Sequence, residues 1–226
     1  MILNKCRLCG SKRLFKFLDL GSHPPSDQFK KKDELDSPTT YYPLKLYSCS
    51  SCGFKQLNYV VEPKILYQEN YPYESSITKA GKKHWFEFAG SVVREYNLKH
   101  NDLAVDIGSN TGVLLSGFKK NKLRIAGIDP APNICKIARK RGIPTINSFF
   151  NKDAVNKVLR KFGKAKIITG TNVFAHINNL DEFMRNIQRL IHKNNGIFVI
   201  EVPHFLHLVK SLEYDTIYHE HLSYIT

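Results

Sequence analysis

From residue 103 onwards, short apolar runs alternate with amphipathic stretches, and this pattern predicts a series of strands and helices. The apolar runs are rich in β-branched residues, and the stretches between them carry apolar residues at spacings of three and four. We expect strands at 103–107, 124–128, 145–147, 165–169 and 196–201, and helices at 112–120, 131–140, 153–162 and 180–192. Strands and helices that alternate in this way build a parallel sheet covered on both faces, so the predicted fold class is α/β.

The chain before residue 103 has a different pattern. A helix is predicted from about residue 76, with an apolar stripe that we expect to face the core, formed by Trp85, Phe88, Ala89, Val92 and Tyr96. Residues 1 to about 70 lack helical periodicity, although residues 44–48 alternate like a strand. We therefore expect two domains, a small one at 1–70 and an α/β domain at 71–226.

The cysteines of the small domain form two pairs rather than a disulfide framework. Cys6-x-x-Cys9 and Cys49-x-x-Cys52 are each followed by a glycine, which suits the tight turn around a tetrahedral metal. Four thiolates in this arrangement indicate a structural Zn²⁺ ion. Redox chemistry is the weaker interpretation, because it requires two separate dithiols. Cys135 stands alone on a predicted helix and is expected to be a core thiol.

Size and charge narrow the class of protein. A chain of 226 residues, 42% hydrophobic and 24% charged, has the composition of a soluble globular protein. No apolar run approaches the roughly 20 residues that span a bilayer, and no signal peptide is visible, so we expect a cytoplasmic protein without a membrane partner. The net charge of +14 is spread along the chain, so we expect a basic cleft for a phosphorylated or nucleotide-linked small molecule rather than a nucleic-acid surface.

A glycine-rich turn follows the first predicted strand of the α/β domain. Asp106 precedes Gly108-Ser109-Asn110-Thr111-Gly112, and Asp129 ends the next strand, where a carboxylate can accept hydrogen bonds from ribose hydroxyls. The dinucleotide fingerprint G-x-G-x-x-G is absent, which favours S-adenosylmethionine (SAM) over NAD; an ordinary glycine turn is the plain alternative. The candidate cofactor-binding residues are Asp106, Gly108, Ser109, Asn110, Gly112, Asp129, Pro130, Phe149, Phe150 and Asn172, with Ser75 and Ser76 in the linker between the domains. Either phenylalanine can stack on adenine or pack in the core.

The densest group of polar residues lies near residue 220. His219-Glu220-His221 follows Tyr218, and its spacing differs from that of the helical HExxH zinc motif. Acid–base chemistry is the better interpretation, because a carboxylate can orient an imidazole and a tyrosine can donate to a developing oxyanion. His176 follows the fourth strand and is either a site residue or a capping residue.

Together these motifs resemble those of the sugar C-methyltransferases that act on nucleotide-linked keto-deoxysugars. The resemblance rests on the two cysteine pairs, residues 71–76, residues 106–112, residues 172–176 and Tyr218-His219-Glu220-His221. It implies an N-terminal zinc-binding domain followed by a Rossmann-like class I methyltransferase domain that binds SAM. It also implies that His221 removes the proton next to the ketone, that Glu220 positions it, and that Tyr73 or Tyr71, Tyr218 and His176 bind the enolate oxygen.

Members of that family continue into a further C-terminal domain, whereas this sequence ends at Thr226. The resemblance therefore leaves three explanations open: the sequence is a fragment, the C-terminal domain is supplied by a separate chain, or the protein is a shortened form that lacks this domain and has a different substrate. Three alternatives stay open: a SAM-dependent O- or N-methyltransferase acting on another small molecule, a non-catalytic zinc-containing half of a split enzyme, and an RNA methyltransferase.

Overall fold

The computed structural model describes residues 1–67 and 71–226. The predicted domain boundary at residue 70 lies outside the described residues. The strands are β1 (Leu14–His23), β2 (Tyr42–Cys49), β3 (Lys55–Leu57), β4 (Leu103–Ile107), β5 (Arg124–Asp129), β6 (Thr145–Asn147), β7 (Ile167–Thr171), β8 (Ile197–Glu201) and β9 (Ser223–Tyr224). The helices are α1 (Pro63–Tyr67), α2 (Lys79–Glu95), α3 (Val113–Lys120), α4 (Pro132–Lys140), α5 (Lys152–Phe162), α6 (Leu180–Leu190) and α7 (Phe205–Ser211).

The chain forms two compact units. The first unit consists of Met1–Leu66, Phe174–Leu180 and Val202–Thr226, and the second consists of Tyr67–Val173 and Asp181–Glu201. The first unit thus combines the predicted small domain with two segments from much later in the chain. The predicted division into domains at 1–70 and 71–226 stays a prediction.

The second unit contains a five-stranded parallel sheet in the order β6-β5-β4-β7-β8. This confirms the predicted α/β class. Every residue of the central strand β4 is buried, as expected for a strand covered on both faces. The predicted element boundaries agree with the structure to within one or two residues at most positions, and β7 begins at Ile167, two residues later than predicted.

Helix α2 packs against α3 and completes the core of the second unit. Trp85, Ala89 and Val92 of the predicted stripe are buried in this core, and Phe88 packs against it. The prediction for Tyr96 is wrong: it caps the C-terminus of α2 and is 40% exposed, because the helix ends one residue before it. At Gly117 of α3 a Cβ would lie 2.7 Å from Ala89 Cβ, so the glycine allows the close approach of the two helices.

The first unit contains a four-stranded antiparallel sheet in the order β1-β2-β3-β9. Strand β9 comes from the end of the chain and pairs Gln56 with Ser223. The core of this unit joins the small domain to the C-terminal segment through Leu44, Leu46, Leu57, Val60, Leu208, Ile217, Leu222 and Tyr224.

Within the part of the chain that the structure describes, no helix combines the length and the apolar character needed to cross a bilayer.

Candidate functional site

The two cysteine pairs of the first unit converge into one cluster. The four sulfur atoms of Cys6, Cys9, Cys49 and Cys52 lie within 4.8 Å of one another. The Sγ–Sγ distance is 3.7 Å for Cys6–Cys52 and also for Cys9–Cys49. A tetrahedral zinc ion with bonds of about 2.3 Å to sulfur has sulfur–sulfur edges of about 3.8 Å. The cluster therefore has the size that a tetrahedral Zn²⁺ site requires.

The backbone of the two cysteine turns repeats the same geometry. Gly10 N–H donates to the Cys6 carbonyl at 2.9 Å, and Gly53 N–H donates to the Cys49 carbonyl at 2.8 Å. Both glycines have a left-handed conformation, with φ of 73° and 75°. We call these two turns the first knuckle (6–10) and the second knuckle (49–53). Their shared geometry is what the sequence predicts for each C-x-x-C-G segment.

The glycine-rich loop of the second unit joins β4 to α3. Gly108 and Gly112 have φ values of 64° and 77°, and a Cβ at Gly108 would lie 2.4 Å from Val173 Cγ2. The amides of Gly108 and Ser109 both donate to the Ile128 carbonyl, at 2.8 and 3.1 Å. These bonds hold the loop against the end of β5. The hydroxyl oxygen of Ser109 is buried and has no hydrogen-bond partner among the described residues.

Asp106 is a buried carboxylate in the central strand. The Thr169 hydroxyl donates to its Oδ1 at 2.6 Å. Burial raises the pKa of Asp106 to about 7, the Thr169 hydrogen bond lowers it, and the charge of Asp129 raises it. Such a carboxylate gains from a cationic ligand, because a positive charge offsets the cost of burying its own.

Asp129 ends β5 on the other side of the loop. Its Oδ2 accepts from the Asn110 amide and its Oδ1 from the Ala131 amide, both at 2.9 Å. Burial raises the pKa of Asp129, and these two backbone hydrogen bonds lower it. Among the described residues, no lysine or arginine forms an ion pair with Asp106 or Asp129. Two buried carboxylates without a cationic partner fit SAM, which carries positive charge on its ammonium and sulfonium groups.

Asn110 holds the linker at residues 71–76 against the glycine-rich loop. Its Oδ1 accepts from the amide and the hydroxyl of Ser75, at 2.9 and 3.1 Å, and from the Thr111 amide at 2.8 Å. Its Nδ2 donates to the Tyr73 carbonyl at 2.9 Å. The side chain of Asn110 is therefore used to position the linker.

Two further side chains fix the same linker. Asn133 Nδ2 donates to the Tyr71 carbonyl at 2.9 Å, and Arg141 Nη1 donates to the Ser76 hydroxyl at 2.8 Å. Ser76 is buried, whereas Tyr73 is 55% exposed. The predicted roles of these residues towards cofactor and substrate stay predictions, and the structure adds the contacts that hold them in place.

The remaining cofactor candidates lie at the carboxyl ends of the strands. The Phe150 ring packs against the buried Phe183 ring at 5.1 Å between centroids, which favours its core role, and Phe149 is half-buried. Asn172 is exposed, has φ of 54°, and donates its amide to the Glu201 carbonyl at 2.7 Å. The Pro130 carbonyl accepts from Asn147 Nδ2 at 2.9 Å.

In the first unit, His221 lies in a network that fixes its tautomer. Its Nδ1 is 2.8 Å from the Thr216 carbonyl, which can only accept, so Nδ1 carries the proton. Its Nε2 is therefore the acceptor and lies 3.0 Å from the Tyr218 hydroxyl. Burial lowers the pKa of His221, and the hydrogen bond to Thr216 raises it. The partner of Nδ1 is thus a backbone carbonyl, and the role of Glu220 in positioning His221 stays a prediction.

The neighbouring histidines have different environments. The His176 ring lies 5.2 Å from the His221 ring, and burial, with a smaller contribution from His221, lowers the pKa of His176 to about 3. His219 is buried and donates Nε2–H to the Tyr42 carbonyl at 3.1 Å. His176 and His221 thus lie together as neutral imidazoles beside Tyr218. His219 is used to hold β2.

Several residues that support these sites were not predicted. Thr169 hydrogen-bonds Asp106, and Thr216 sets the tautomer of His221. Gly127 of β5 leaves room for the loop, since a Cβ there would lie 2.4 Å from Ser109 Oγ. A glycine in the strand next to the glycine-rich loop indicates a close approach of the backbone there, so this contact is one that the sequence could have predicted. The contact between the Thr216 carbonyl and His221 cannot be predicted from residue types, because every residue has a backbone carbonyl.

Comparison with known proteins agrees with this description. Residues 6–67 match the family described as "Putative zinc binding domain", and residues 84–226 match the family described as "Methyltransferase domain". C-methyltransferase NovU of Streptomyces niveus is 31% identical over 224 residues, which is 99% of this chain and 53% of that protein. The chain therefore spans about half the length of this curated relative.

Two solved structures show a partial likeness. An S-adenosylmethionine-dependent methyltransferase from Clostridium acetobutylicum ATCC 824 is 18% identical and has a TM-score of 0.47, over 58% of this chain and 54% of that one. Streptomyces venezuelae DesVI is 16% identical and has a TM-score of 0.44, over 56% of this chain and 52% of that one.

The family matches confirm three of the sequence-based predictions. They confirm the class I methyltransferase fold with a zinc-binding module, and they confirm SAM and zinc as the cofactors. They also confirm that the chain contains a methyltransferase domain. The sugar substrate and the roles of individual residues are not part of what these matches show. The chain belongs to the methyltransferase-domain family.

Proposed function

We propose that this chain catalyses SAM-dependent methylation of the carbon next to the ketone of a nucleotide-linked deoxysugar, through an enolate. The observation that carries the proposal is the tautomer of His221. Its Nδ1–H is committed to the Thr216 carbonyl, which leaves the Nε2 lone pair as a base. The relative NovU is a C-methyltransferase, which supports carbon as the methyl acceptor.

A carbon next to a ketone becomes nucleophilic only when it loses a proton. In the proposed reaction His221 Nε2 takes this proton, and the electrons of the C–H bond form the enolate. Because burial lowers the pKa of His221, the ring is neutral and able to accept a proton near neutral pH. The imidazolium that forms then returns its proton to solvent.

The enolate oxygen needs a hydrogen-bond donor as its charge develops. Tyr218 is a candidate, since its hydroxyl points at Nε2 in the resting structure at 3.0 Å. Because Nε2 has a single lone pair, the Tyr218 hydroxyl must turn away from Nε2 before Nε2 takes the proton, and it then donates to the developing enolate oxygen. His176, Tyr73 and Tyr71 are the further donors that the family resemblance suggests.

Binding of the methyl donor is assigned to the second unit. SAM, when bound, would supply an electrophilic methyl group to the enolate carbon, and S-adenosylhomocysteine would leave with the electrons of the broken sulfur–methyl bond. Asp106 would provide negative charge for its cationic groups, Asp129 would accept hydrogen bonds from its ribose hydroxyls, and Gly108 and Gly112 shape the loop beside them. The reaction leaves the ketone in place and adds one methyl group to the neighbouring carbon.

Deuterium exchange tests the proton-abstraction step separately from methyl transfer. The zinc-loaded chain is incubated in D₂O with a nucleotide-linked keto-deoxysugar and S-adenosylhomocysteine in place of SAM, and the exchange is followed by NMR. We expect deuterium to enter the position next to the ketone, and His221→Ala to slow this exchange by about 10²-fold or more. His207→Ala is the matched control, because His207 is an exposed histidine of the same unit.

Other outcomes separate the alternatives. Methyl transfer to oxygen or nitrogen at an unchanged rate in His221→Ala would contradict C-methylation. Exchange that begins only when a second polypeptide is added would indicate a split enzyme, of which this chain is one half.

A further inference from the structure

Arg7 connects the first knuckle to the segment that carries His221. It follows Cys6 in the sequence, and its Nη1 donates to the Leu222 carbonyl at 2.7 Å, across 215 residues of chain. Its Nη2 lies 3.4 Å from the Leu57 carbonyl. One guanidinium group therefore bridges the knuckle, β3 and the residue next to His221.

The environment of Arg7 is unusual for a charged side chain. Burial lowers the pKa of Arg7 to about 10 and the charge of Cys6 raises it, and no carboxylate among the described residues forms an ion pair with it. Its Nε is buried and has no hydrogen-bond partner in the described part of the chain. A partly buried charged side chain needs partners for its donors, and the Nη groups of Arg7 find theirs at two backbone carbonyls. The Leu222 and Leu57 carbonyls are what this side chain holds.

Gln56 provides a second connection between the same elements. It is completely buried, its Oε1 accepts from the Arg7 amide at 2.7 Å, and its Nε2 donates to the Lys5 carbonyl at 3.2 Å. Its backbone pairs with Ser223 of β9. The first knuckle is therefore held to the end of the chain through both Arg7 and Gln56.

The Leu222 carbonyl is the meeting point of these bonds. It accepts from the Leu57 amide at 3.0 Å as well as from Arg7. The preceding residue is His221, whose amide donates to the Tyr218 carbonyl at 3.1 Å and whose ring is held by Thr216. Fixing the Leu222 carbonyl thus fixes the end of the short turn that presents the imidazole.

We propose that Arg7 is a positioning residue that transmits the folding of the first knuckle to the turn 216–222, so that zinc loading sets the tautomer of His221. This inference rests on the proposed function for its catalytic meaning, and on the structure alone for its geometry. Arg7 acts through the Leu222 backbone. In this view the zinc module is part of what orders the base.

The test measures the tautomer of His221 by ¹⁵N NMR of the full chain labelled at histidine nitrogen. The signals of His221 are assigned by their loss in His221→Gln. In the zinc-loaded protein we expect the pattern of a fixed Nδ1–H tautomer, and after chelation an averaged pattern. Arg7→Met with zinc bound is expected to show the same averaged pattern. The metal content of each sample is measured by atomic emission.

Arg13→Met is the matched control. Arg13 belongs to the same small domain, but its Nε donates to the exposed Ser51 hydroxyl. This variant is expected to keep both zinc and the fixed tautomer. Arg7→Lys keeps the charge with a single donor group, and we expect it to restore the fixed pattern in part.

The outcomes separate this inference from the proposed function. A fixed Nδ1–H pattern in zinc-loaded Arg7→Met overturns the role of Arg7. If Arg7→Met loses zinc, Arg7→Lys is judged by the same spectrum: an averaged component supports the role, and an unchanged pattern overturns it. An averaged pattern in Arg7→Met combined with full activity in His221→Ala would keep the positioning role and remove the proposed function.

Discussion

Replacing the buried carboxylate of Asp106 should make the second unit more stable at high pH and weaken its binding of SAM. Burial raises the pKa of Asp106 from 3.8 to about 7. A raised pKa in the folded state means that the folded protein holds a proton more tightly than the unfolded chain does. The contribution of Asp106 to the unfolding free energy is therefore fully present below pH 3.8 and is lost as the pH rises through about 7.

The size of the effect follows from the difference in pKa. A shift from 3.8 to about 7 corresponds to at most about 4 kcal/mol of unfolding free energy. Asp106→Asn keeps the shape and an oxygen that can accept from Thr169, but it has no charge to bury. The difference in unfolding free energy between Asp106→Asn and the wild-type protein should therefore increase from pH 4 to pH 8, towards this limit.

The assay is urea unfolding followed by tryptophan fluorescence. The chain has one tryptophan, and Trp85 lies in the core of the second unit. Asp181→Asn is the control, since Asp181 is an exposed carboxylate of the same unit. The same variants are titrated with SAM by calorimetry, where Asp106→Asn should bind at least about tenfold more weakly, a loss of about 1.4 kcal/mol. An identical pH slope for Asp106→Asn and wild type would refute the reasoning.

Two further predictions follow from the same contacts. Gly127→Ala should cost about 1–3 kcal/mol of stability and weaken SAM binding, because the added Cβ would lie 2.4 Å from Ser109 Oγ. Gly170→Ala is the control and should be close to neutral, since the nearest side-chain atom there is 3.7 Å away. Stability is measured by thermal unfolding and SAM binding by calorimetry, and equal effects at the two positions would contradict this account. Removal of zinc with a chelator should raise hydrogen exchange in residues 1–66 and also in residues 202–226, since both ranges belong to the first unit; exchange that rises in residues 1–66 alone would be inconsistent with that unit.

Much of the second unit is predictable, because the sequence pattern of its strands and loop matches the burial and backbone conformation that the folded structure requires. Strands such as β4 are continuous apolar runs, since a strand covered on both faces is buried along its whole length. The glycine-rich loop is visible because left-handed positions at Gly108 and Gly112 restrict the residue type. The fold class and the cofactor class follow from these features.

The first unit was less predictable, because its sheet depends on distant pairing. Strand β1 (Leu14–His23) contains register shifts and mostly exposed side chains, so it lacks the alternation that signals a strand. Strand β9 has two residues and exists only through its pairing with β3. Sequence patterns do not contain this information.

The polar sites show a similar limit. The Nδ1 atom of His221 is held by the Thr216 carbonyl, a backbone group that every residue type possesses, so no residue pattern predicts this contact. The Asn110 side chain holds the linker through Tyr73 and Ser75, a structural contact that its position in the glycine-rich turn does not predict, and its cofactor role stays a prediction. Residue type and spacing indicate candidate regions, while hydrogen-bond partners such as the Thr216 carbonyl are backbone atoms that the sequence does not distinguish.

The most direct test of C-methylation is the position of the transferred methyl group. The zinc-loaded chain is incubated with a nucleotide-linked keto-deoxysugar and SAM that carries ¹³C in its methyl group, and the product is analysed by two-dimensional NMR. We predict that the labelled methyl carbon couples to the ketone carbon and to the ring carbon next to it. A labelled methyl group bonded to oxygen or nitrogen would contradict the proposed function.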